Sequence, residues 1–431
     1  MTQLTFLDSS KTSINPKVSA RSGAFTDNMK LPIHRWFRYS AGFSAEWVEK
    51  LIMENKNGKM PHVLDPFCGS GTTLVASAKA GADSVGFETH PFVSRIAATK
   101  LNWTLDISAL EKAASAVLKH AEKLQSASPR TRSSLLLKCY DVENLTALEA
   151  LRQAYLNEIE GAYSIEVEQL VWLAITCILR ECSGVGTAQW QYVLPNKSKA
   201  RVSHPYSAFI NRIDMFKKDL VFASSTFHGT AEIVQTDARE PNCDGEFDLV
   251  ITSPPYPNNY DYADATRLEM TFWEEIESWG DLQGAVRQYL IRSCSQHSAA
   301  EKLVLSEVLN DQVLLPISDE LGMVCSELEE IRKEKGGKKT YHTMVAAYFA
   351  DLARVWISLR KLVKPGGKAA FVIGDSAPYG VYVPCDEWLG KLAIAAGFSE
   401  YEFTKIRDRN TKWKNRKHTV PLKEGVLWVE G

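Results

Sequence analysis

The chain has 431 residues, of which 45% are hydrophobic and 24% are charged, and its net charge is −2. This is an ordinary globular composition, with room for one elaborated domain or for two or three. The near-neutral charge excludes a global argument for nucleic-acid binding, so local clusters must support any such function.

The sequence gives no sign of secretion, membrane insertion or metal binding. Residues 1–23 lack the apolar core of a signal peptide, and the longest apolar run, LVWLAITCIL, is too short to cross a membrane. The eight cysteines form no CxxC pair and no Cys/His ligand spacing. We therefore expect a cytoplasmic protein with reduced thiols, without a membrane partner, a metal or disulfides.

The first third of the chain predicts a mixed α/β protein. Residues 1–30 are polar and rich in Ser, Thr and Lys, which predicts a flexible N-terminal arm. The segment GFSAEWVEKLI predicts a helix with Ser44 as its N-cap. Residues 62–88 then parse as a strand, a glycine-rich turn, a helix and a second strand, which together make a βαβ unit.

Two long helical stretches interrupt the strands. Residues 92–229 show helical periodicity and lack strand signals, and residues 265–342 form a second insertion. Strand patterns return between them and again after a helix that PGG closes. The sequence therefore predicts a core of residues 31–91, 230–264 and 343–431. Either insertion is a candidate for contact with a macromolecular substrate.

The turn DPFCGSGTT predicts a cofactor site. Gly69 and Gly71 stand between a strand and a helix, where a missing Cβ allows a ligand to approach the backbone. The N–H groups that open the helix favour a carboxylate or phosphate. Glu88 ends the next strand, at a distance suited to ribose hydroxyls. The spacing is neither GxGxxG nor a phosphate-binding GK[ST], so the turn alone does not identify the cofactor.

A second motif, SPPY, follows the apolar strand pattern of FDLVIT. Because proline cannot donate a backbone hydrogen bond, Pro254 and Pro255 end the strand after Ser253. The resulting rigid corner presents Tyr256 at the C-terminal edge of the strand. Ligands of open α/β sheets bind at that edge.

Together the two motifs resemble those of the S-adenosylmethionine-dependent DNA amino-methyltransferases. In that family DPFxGSGTT is the cofactor motif and SPPY or DPPY the catalytic motif, and both stand here nearly intact. The resemblance covers the sheet core, about half the chain. It implies an α/β fold with a Rossmann-like methyltransferase sheet, here carrying large helical insertions, and S-adenosylmethionine as the cofactor.

The resemblance also implies roles for particular residues. Glu88 would hold the ribose, and Asp237, after the strand IVQT, would accept from the adenine amino group. An aromatic residue near the first helix would pack on adenine, with Trp36, Phe37 and Phe43 available and Phe37 our choice. The residues that would line the methionine part are Asp65, Phe67, Gly69 and Gly71.

For SPPY, the resemblance implies transfer of a methyl group to an exocyclic base amine, with Ser253, Pro254, Pro255 and Tyr256 as the catalytic residues. That amine is a poor nucleophile because its lone pair is delocalised into the ring. Ser253 Oγ and the Pro254 carbonyl can accept from its N–H groups and free the lone pair, while Tyr256 offers a face for stacking. Since a duplex hides the amine, the target nucleotide must flip out.

Several alternatives remain at the level of sequence. Transfer to cytosine C5 needs a nucleophilic thiolate, and Cys385, in the one Pro-Cys pair, lies in the wrong place for it. Between cytosine N4 and adenine N6, the Ser at the first motif position favours cytosine N4. An RNA guanine-N2 or adenine-N6 methyltransferase and a catalytically silent nucleic-acid-binding protein are the competing interpretations.

Three basic segments favour double-stranded DNA as the partner. They are residues 196–204, residues 331–342 and residues 405–418, the last with Trp413 inside it. All three flank the expected C-terminal face of the sheet. A cognate restriction endonuclease or other components of a defence system would be further partners.

Overall fold

The structure is a computed structural model that describes residues 25–39, 42–124, 126–187, 193–258, 260–336, 339–409 and 420–431. Strands within these ranges form a seven-stranded sheet of order β5-β2-β1-β6-β7-β9-β8 and a separate hairpin, β3-β4. The strands are β1 Val63–Asp65, β2 Ser84–Phe87, β3 Val185–Thr187, β4 Val193–Ser198, β5 Ala231–Val234, β6 Phe247–Thr252, β7 Val363–Gly374, β8 Glu400–Arg409 and β9 Leu422–Glu430.

The first five strands of the large sheet run parallel, and β9 pairs antiparallel with both β7 and β8. Counted within this sheet, the parallel strands have the order 3-2-1-4-5, which is that of a doubly wound Rossmann-like sheet. From β1 the chain adds β2 and β5 on one side of the sheet, and it then crosses back to add β6 and β7 on the other side of β1. The predicted fold class, a Rossmann-like α/β sheet with large helical insertions, is confirmed.

The α-helices of the described chain are α1 Ala45–Glu54, α2 Thr72–Ala80, α3 Pro91–Lys100, α4 Ile107–Leu124, α5 Ser134–Cys139, α6 Val142–Glu158, α7 Ile165–Ile178, α8 Pro205–Thr226, α9 Tyr262–Ala265, α10 Arg267–Phe272, α11 Leu282–Ala285, α12 Ser295–Ala300, α13 Leu305–Leu309, α14 Ser318–Glu334, α15 Tyr341–Leu362 and α16 Cys385–Ala395. Short 3-10 helices cover Phe25–Lys30, His34–Trp36, Arg287–Tyr289, Gln312–Ile317 and Pro378–Gly380. Ser44 caps α1 as predicted, since its side chain accepts from the amide of Trp47 at 3.3 Å.

Side chains that alternate along the central strands build a core on each face of the sheet. On one face Leu249 and Ile251 of β6 pack with α1. On the other face Val250 packs with α15 and α16, as do Phe371 and Ile373 of β7. This alternation follows from the two-residue period of a strand. The sheet is therefore covered on both sides, and its strand ends remain the accessible edge.

A third hydrophobic core lies within the first insertion, and the beginning of the second insertion packs into it. Helices α4, α6, α7 and α8 pack together with Ala263, Leu268, Phe272 and Leu282. The rest of the second insertion, from Ile291 to α14, packs instead against α15, on the face of the sheet that α15 covers. The stretch 265–342, expected to be one insertion, thus divides between two cores near residue 290.

Three expectations about elements were wrong in detail. The first insertion is not purely helical, because β3 and β4 form a hairpin inside it. Residues 25–30 of the expected arm form a 3-10 helix, and Asn28 is buried there with its amide donating to the carbonyl of Phe43 at 2.7 Å. Residues 405–409, expected in a basic loop, belong to strand β8. Residues 1–24 of the arm and residues 410–419, with Trp413, lie outside the described chain.

Candidate functional site

The two motifs meet at the C-terminal edge of the sheet. Strands β1 and β6 are parallel neighbours, so DPFCGSGTT and SPPY leave the sheet side by side. Asp65, the last residue of β1, is fully buried and accepts from the hydroxyls of Thr252 and Thr73, each at 2.6 Å. Thr252 is the residue before SPPY. A buried carboxylate therefore joins the two motifs directly.

The turn after β1 has a conformation and a packing that require glycine. Gly69 and Gly71 both have positive φ, of 51° and 82°, which side chains with a Cβ rarely adopt. A Cβ on Gly69 would lie 3.2 Å from Tyr39 Cε1. The amide of Phe67 donates to Asp65 Oδ1 at 3.1 Å, which fixes the start of the turn. The turn thus needs glycine for its conformation and for its close packing.

A cavity opens over this turn and encloses about 790 Å³ of empty space, its mouth included. Predicted residues from four separated segments line it together, namely Phe67, Gly69, Glu88, Asp237, Ser253 and Pro255. Aromatic and apolar side chains with a few polar groups make up the lining, as in sites that bind small organic ligands. The structure therefore brings the expected cofactor and catalytic motifs into one cavity.

Other predicted residues lie beside the cavity rather than in its lining. Asp65 accepts a hydrogen bond from Thr252 and so connects the ends of β1 and β6. Gly71 is the N-cap residue of α2. Phe37, predicted to pack on adenine, does not line the cavity: it is 5% exposed and packs in the core of the first insertion. Phe43 lines the cavity instead. Pro254 is buried, and Tyr256 points toward β7.

Glu88 carries an unusual charge state. Its carboxylate accepts from the amide of His90 at 2.8 Å and also interacts with the amides of Gly69 and Thr89. Burial nevertheless raises the pKa of Glu88 to about 7, since the desolvation of the charged form outweighs these hydrogen bonds. A ligand that donates to this carboxylate would favour its ionised form.

Tyr256 is held by two neighbours at the end of β7 and β8. The guanidinium of Arg409 lies 4.9 Å from the centre of the Tyr256 ring, and its Nη1 donates to the carbonyl of Asp375 at 2.5 Å. A Cβ on Gly374 would lie 3.1 Å from Tyr256 Cε2. Burial raises the pKa of the Tyr256 hydroxyl far above its ordinary value, so this side chain remains neutral and cannot act as a base.

Other chemistries find little support in the described residues. Cys385 is buried, and burial raises the pKa of its thiol well above the ordinary range, which opposes a role as a nucleophile. No group of three or more His, Cys, Asp or Glu side chains in the described ranges could hold a metal ion. Within the same ranges, no helix is long and apolar enough to span a membrane.

The cavity also contains residues that sequence reasoning missed. Tyr39 and Tyr262 contribute rings, and Tyr289, Leu290 and Ile291 of the second insertion form a wall. Neither an apolar triplet such as YLI nor an isolated tyrosine carries a recognisable signal. Their role depends on tertiary placement alone.

Fold and cavity together define a Rossmann-like protein with a cofactor turn and an SPPY corner at one sheet edge. Residues 8–99 match the family model described as DNA methylase. Over 90% of its length the chain is 25% identical to Type II methyltransferase M.BsoBI of Geobacillus stearothermophilus, covering 82% of that protein. It is also 25% identical, again over 90% of its length, to Type II methyltransferase M.AvaI of Nostoc sp., covering 84% of it.

Two further matches are shorter or weaker. The chain is 37% identical over 19% of its length to Type II methyltransferase M.MjaII of Methanocaldococcus jannaschii, covering 15% of that protein. Among solved structures, the rRNA methyltransferase aviRa from Streptomyces viridochromogenes aligns over 93% of this chain and 85% of that one, with 9% identity and a TM-score of 0.30. The sequence relatives and the family match confirm the resemblance to DNA amino-methyltransferases, and S-adenosylmethionine as the methyl donor agrees with them.

Proposed function

We propose that the protein is a site-specific DNA methyltransferase that transfers a methyl group from S-adenosylmethionine to the exocyclic amine of a flipped base, with cytosine N4 favoured over adenine N6. One observation carries this proposal. Ser253 and Pro255 of SPPY line the same cavity as Gly69 and Glu88 of the cofactor unit. A methyl donor and an acceptor amine bound at these residues would be neighbours.

The residues of the cavity fit the parts of S-adenosylmethionine. Gly69 lines the part of the cavity where the methionine part would approach the backbone, and the Glu88 carboxylate would accept from the ribose hydroxyls. Asp237 accepts from the adenine amino group at the far end of the cavity. Phe43, rather than Phe37, supplies an aromatic face for adenine.

Held by Gly69 and Glu88, S-adenosylmethionine would supply an electrophilic methyl group for the acceptor amine and would leave as S-adenosylhomocysteine. Ser253 Oγ and the carbonyl of Pro254 accept from the amine N–H groups and direct its lone pair. Tyr256 stacks on the base, and its ring is kept in place by Arg409. Burial raises the pKa of Tyr256 and favours its neutral form, and we propose water as the acceptor of the proton that the amine releases. Alignment then supplies most of the acceleration.

The choice between the two amines rests on the motif. Ser253 stands at the position where members of the resembled family with Ser more often act on cytosine, and those with Asp or Asn on adenine. The base must leave the duplex to reach a corner at a sheet edge. We therefore propose base flipping and cytosine N4 as the acceptor.

The basic segments 196–204, 331–342 and 405–418 support double-stranded DNA as the substrate, because lysine and arginine at this density bind phosphates. One of these segments reaches the catalytic corner, since the guanidinium of Arg409 lies over the ring of Tyr256.

We assign catalysis to residues 31–91, 230–264 and 343–431, with the first insertion, 92–229, as the candidate target-recognition region and 265–342 as a second DNA contact. Of the predicted arm, residues 1–30, we propose that residues 25–30 belong with the catalytic part, because Asn28 is buried and donates to the carbonyl of Phe43. Since the relatives M.BsoBI and M.AvaI are type II methyltransferases, a cognate restriction endonuclease is the partner we propose. Action on DNA would take place in the cytoplasm.

Replacing Tyr256 tests the catalytic proposal. Tyr256→Ala removes the stacking surface and should lower methyl transfer to DNA by about 100-fold or more, the loss expected from a misplaced substrate. Binding of S-adenosylhomocysteine, measured by calorimetry, should stay unchanged. Tyr256→Phe keeps the ring and should retain most activity, and Tyr401→Ala, at an exposed position of β8, is the matched control. Full activity of Tyr256→Ala would contradict the proposal.

A further inference from the structure

A network of charged residues starts at the end of the cavity where adenine is proposed to bind. It begins at Asp237, which lines the cavity, and passes through Arg239 and Asp351 to Arg292, which also pairs with Glu301. The residues come from the strand end after β5, from helix α15 and from the second insertion. Chain positions that are far apart in sequence therefore share one set of hydrogen bonds.

Asp237 is held by Arg239 in a fixed orientation. The guanidinium donates from Nε to both carboxylate oxygens, at 3.0 and 2.9 Å, and from Nη2 to Oδ2 at 2.6 Å. The backbone amide of Arg239 donates to Oδ1 at 2.8 Å. Three N–H groups thus occupy Asp237, and a carboxylate has about four acceptor positions. One position remains for a further donor such as an exocyclic amine.

Asp351 fixes Arg239 from the other side. It is 1% exposed, and it accepts from Arg239 Nη1 at 3.2 Å. Arg292 donates to it from the backbone amide and Nε, both at 3.0 Å, and from Nη2 at 2.6 Å. Burial favours the protonated form of Asp351, but the hydrogen bonds and charges of the two arginines hold its pKa below the ordinary value. The carboxylate is therefore ionised and fully occupied.

The same network reaches a second segment of the cavity lining. Arg239 Nη2 also donates to the carbonyl of Tyr289 at 3.3 Å, and Arg292 directly follows the lining residue Ile291. Through the two arginines, Asp351 thus connects Asp237 with the lining segment 289–291. A buried charged group with this many partners keeps its neighbours in one geometry.

We propose that Asp351 is a positioning residue for cofactor selection: through Arg239 it orients the Asp237 carboxylate so that its remaining acceptor position meets the adenine amino group. This inference rests on the proposed binding of S-adenosylmethionine in the cavity. Asp351 itself does not line the cavity, so its effect passes through Arg239. Its loss should therefore reduce the discrimination of the amino group, which a general loss of packing would not do selectively.

The test compares two ligands that differ only in that group. S-adenosylhomocysteine carries the 6-amino group, whereas its 6-deamino analogue has hydrogen at C6, keeps N1 as an acceptor and cannot donate to Asp237 from this position. The full-length protein should bind the adenosyl compound about tenfold or more tightly, the equivalent of one hydrogen bond to a charged group. In Asp351→Asn this ratio of dissociation constants, measured by calorimetry, should fall close to one.

Two further variants keep the test decisive. Arg239→Lys retains the positive charge but loses the paired N–H groups of the guanidinium that hold Asp237. It should reduce the ratio of dissociation constants in the same way, and it provides the test if Asp351→Asn does not fold. Glu269→Gln is the matched control, because Glu269 is an equally buried carboxylate paired with an arginine, Arg180, away from this network. Its ratio should equal that of the unmodified protein.

The outcomes separate this inference from the proposed function. If Asp351→Asn and Arg239→Lys weaken both ligands equally or leave the ratio intact, Asp351 is not a positioning residue. If the unmodified protein binds both ligands alike, the role of Asp237 in amine recognition fails, and the inference fails with it. If it binds neither, the proposed cofactor site itself is wrong.

Discussion

The charge state of Glu88 predicts how cofactor binding depends on pH. Burial raises the pKa of this carboxyl from 4.5 to about 7, and the ionised form is the better acceptor for ribose hydroxyls. Because the pKa is raised in the folded protein, the free site is protonated below pH 7 and ionised above it. Cofactor affinity should therefore fall as the pH is lowered through 7 and reach a plateau above it.

The expected size follows from the ionised fraction. At pH 6, one unit below the pKa, about one site in ten is ionised, so the apparent dissociation constant should be about tenfold weaker than at the plateau. At pH 8 about nine sites in ten are ionised, and the affinity should be within about 10% of its limit.

Calorimetric titration with S-adenosylhomocysteine between pH 6 and 8.5 measures this effect. The ligand carries titratable amino and carboxyl groups of its own, so the quantity to compare is the ratio of affinities between the unmodified protein and Glu88→Gln. The glutamine variant should bind weakly without the step near pH 7. A ratio that stays constant across the range, or an affinity that rises toward acid, would refute the role given to Glu88.

Two further predictions address the motif junction and the catalytic corner. Thr252→Val removes the hydroxyl that donates to buried Asp65, and it should lower the free energy of unfolding by about 1.5–3 kcal/mol, measured by denaturant titration. An unchanged denaturation midpoint would contradict the role of this hydrogen bond in joining the two motifs. Gly374→Ala places a Cβ 2.8 Å from Arg409 Nη1 and 3.1 Å from Tyr256 Cε2, so it displaces the pair that forms the catalytic corner, and it should lower kcat by about tenfold or more without changing cofactor affinity. Gly284→Ala, where a Cβ has no neighbour within 4 Å, is the control and should match the unmodified protein.

The parts of the site that could be predicted depend on local backbone chemistry. Glycines at a strand-to-helix turn and a double proline after an apolar strand specify conformations that no distant residue needs to supply. Glu88 could be placed because it ends the next strand of the same βαβ unit. The strand and helix order then brought Gly69, Glu88 and Ser253 to one edge, as the structure has it.

The parts that failed depend on contacts between distant segments. Phe37 and Phe43 are both aromatic and only six residues apart, and the packing of the first insertion alone decides that Phe37 is core and Phe43 faces the cavity. The wall at Tyr289 comes from an insertion outside the resembled motifs. Strand β8 was missed because its charged, largely exposed side chains give little apolar alternation.

Transfer of a labelled methyl group tests the central claim most directly. The purified protein would be incubated with tritiated S-adenosylmethionine and, separately, double-stranded DNA and RNA pools, and the labelled nucleoside would then be identified. The account predicts label in DNA, recovered as N4-methyldeoxycytidine. Label confined to RNA, or no transfer by a protein that binds the cofactor, would contradict it, and N6-methyldeoxyadenosine would overturn the choice of base.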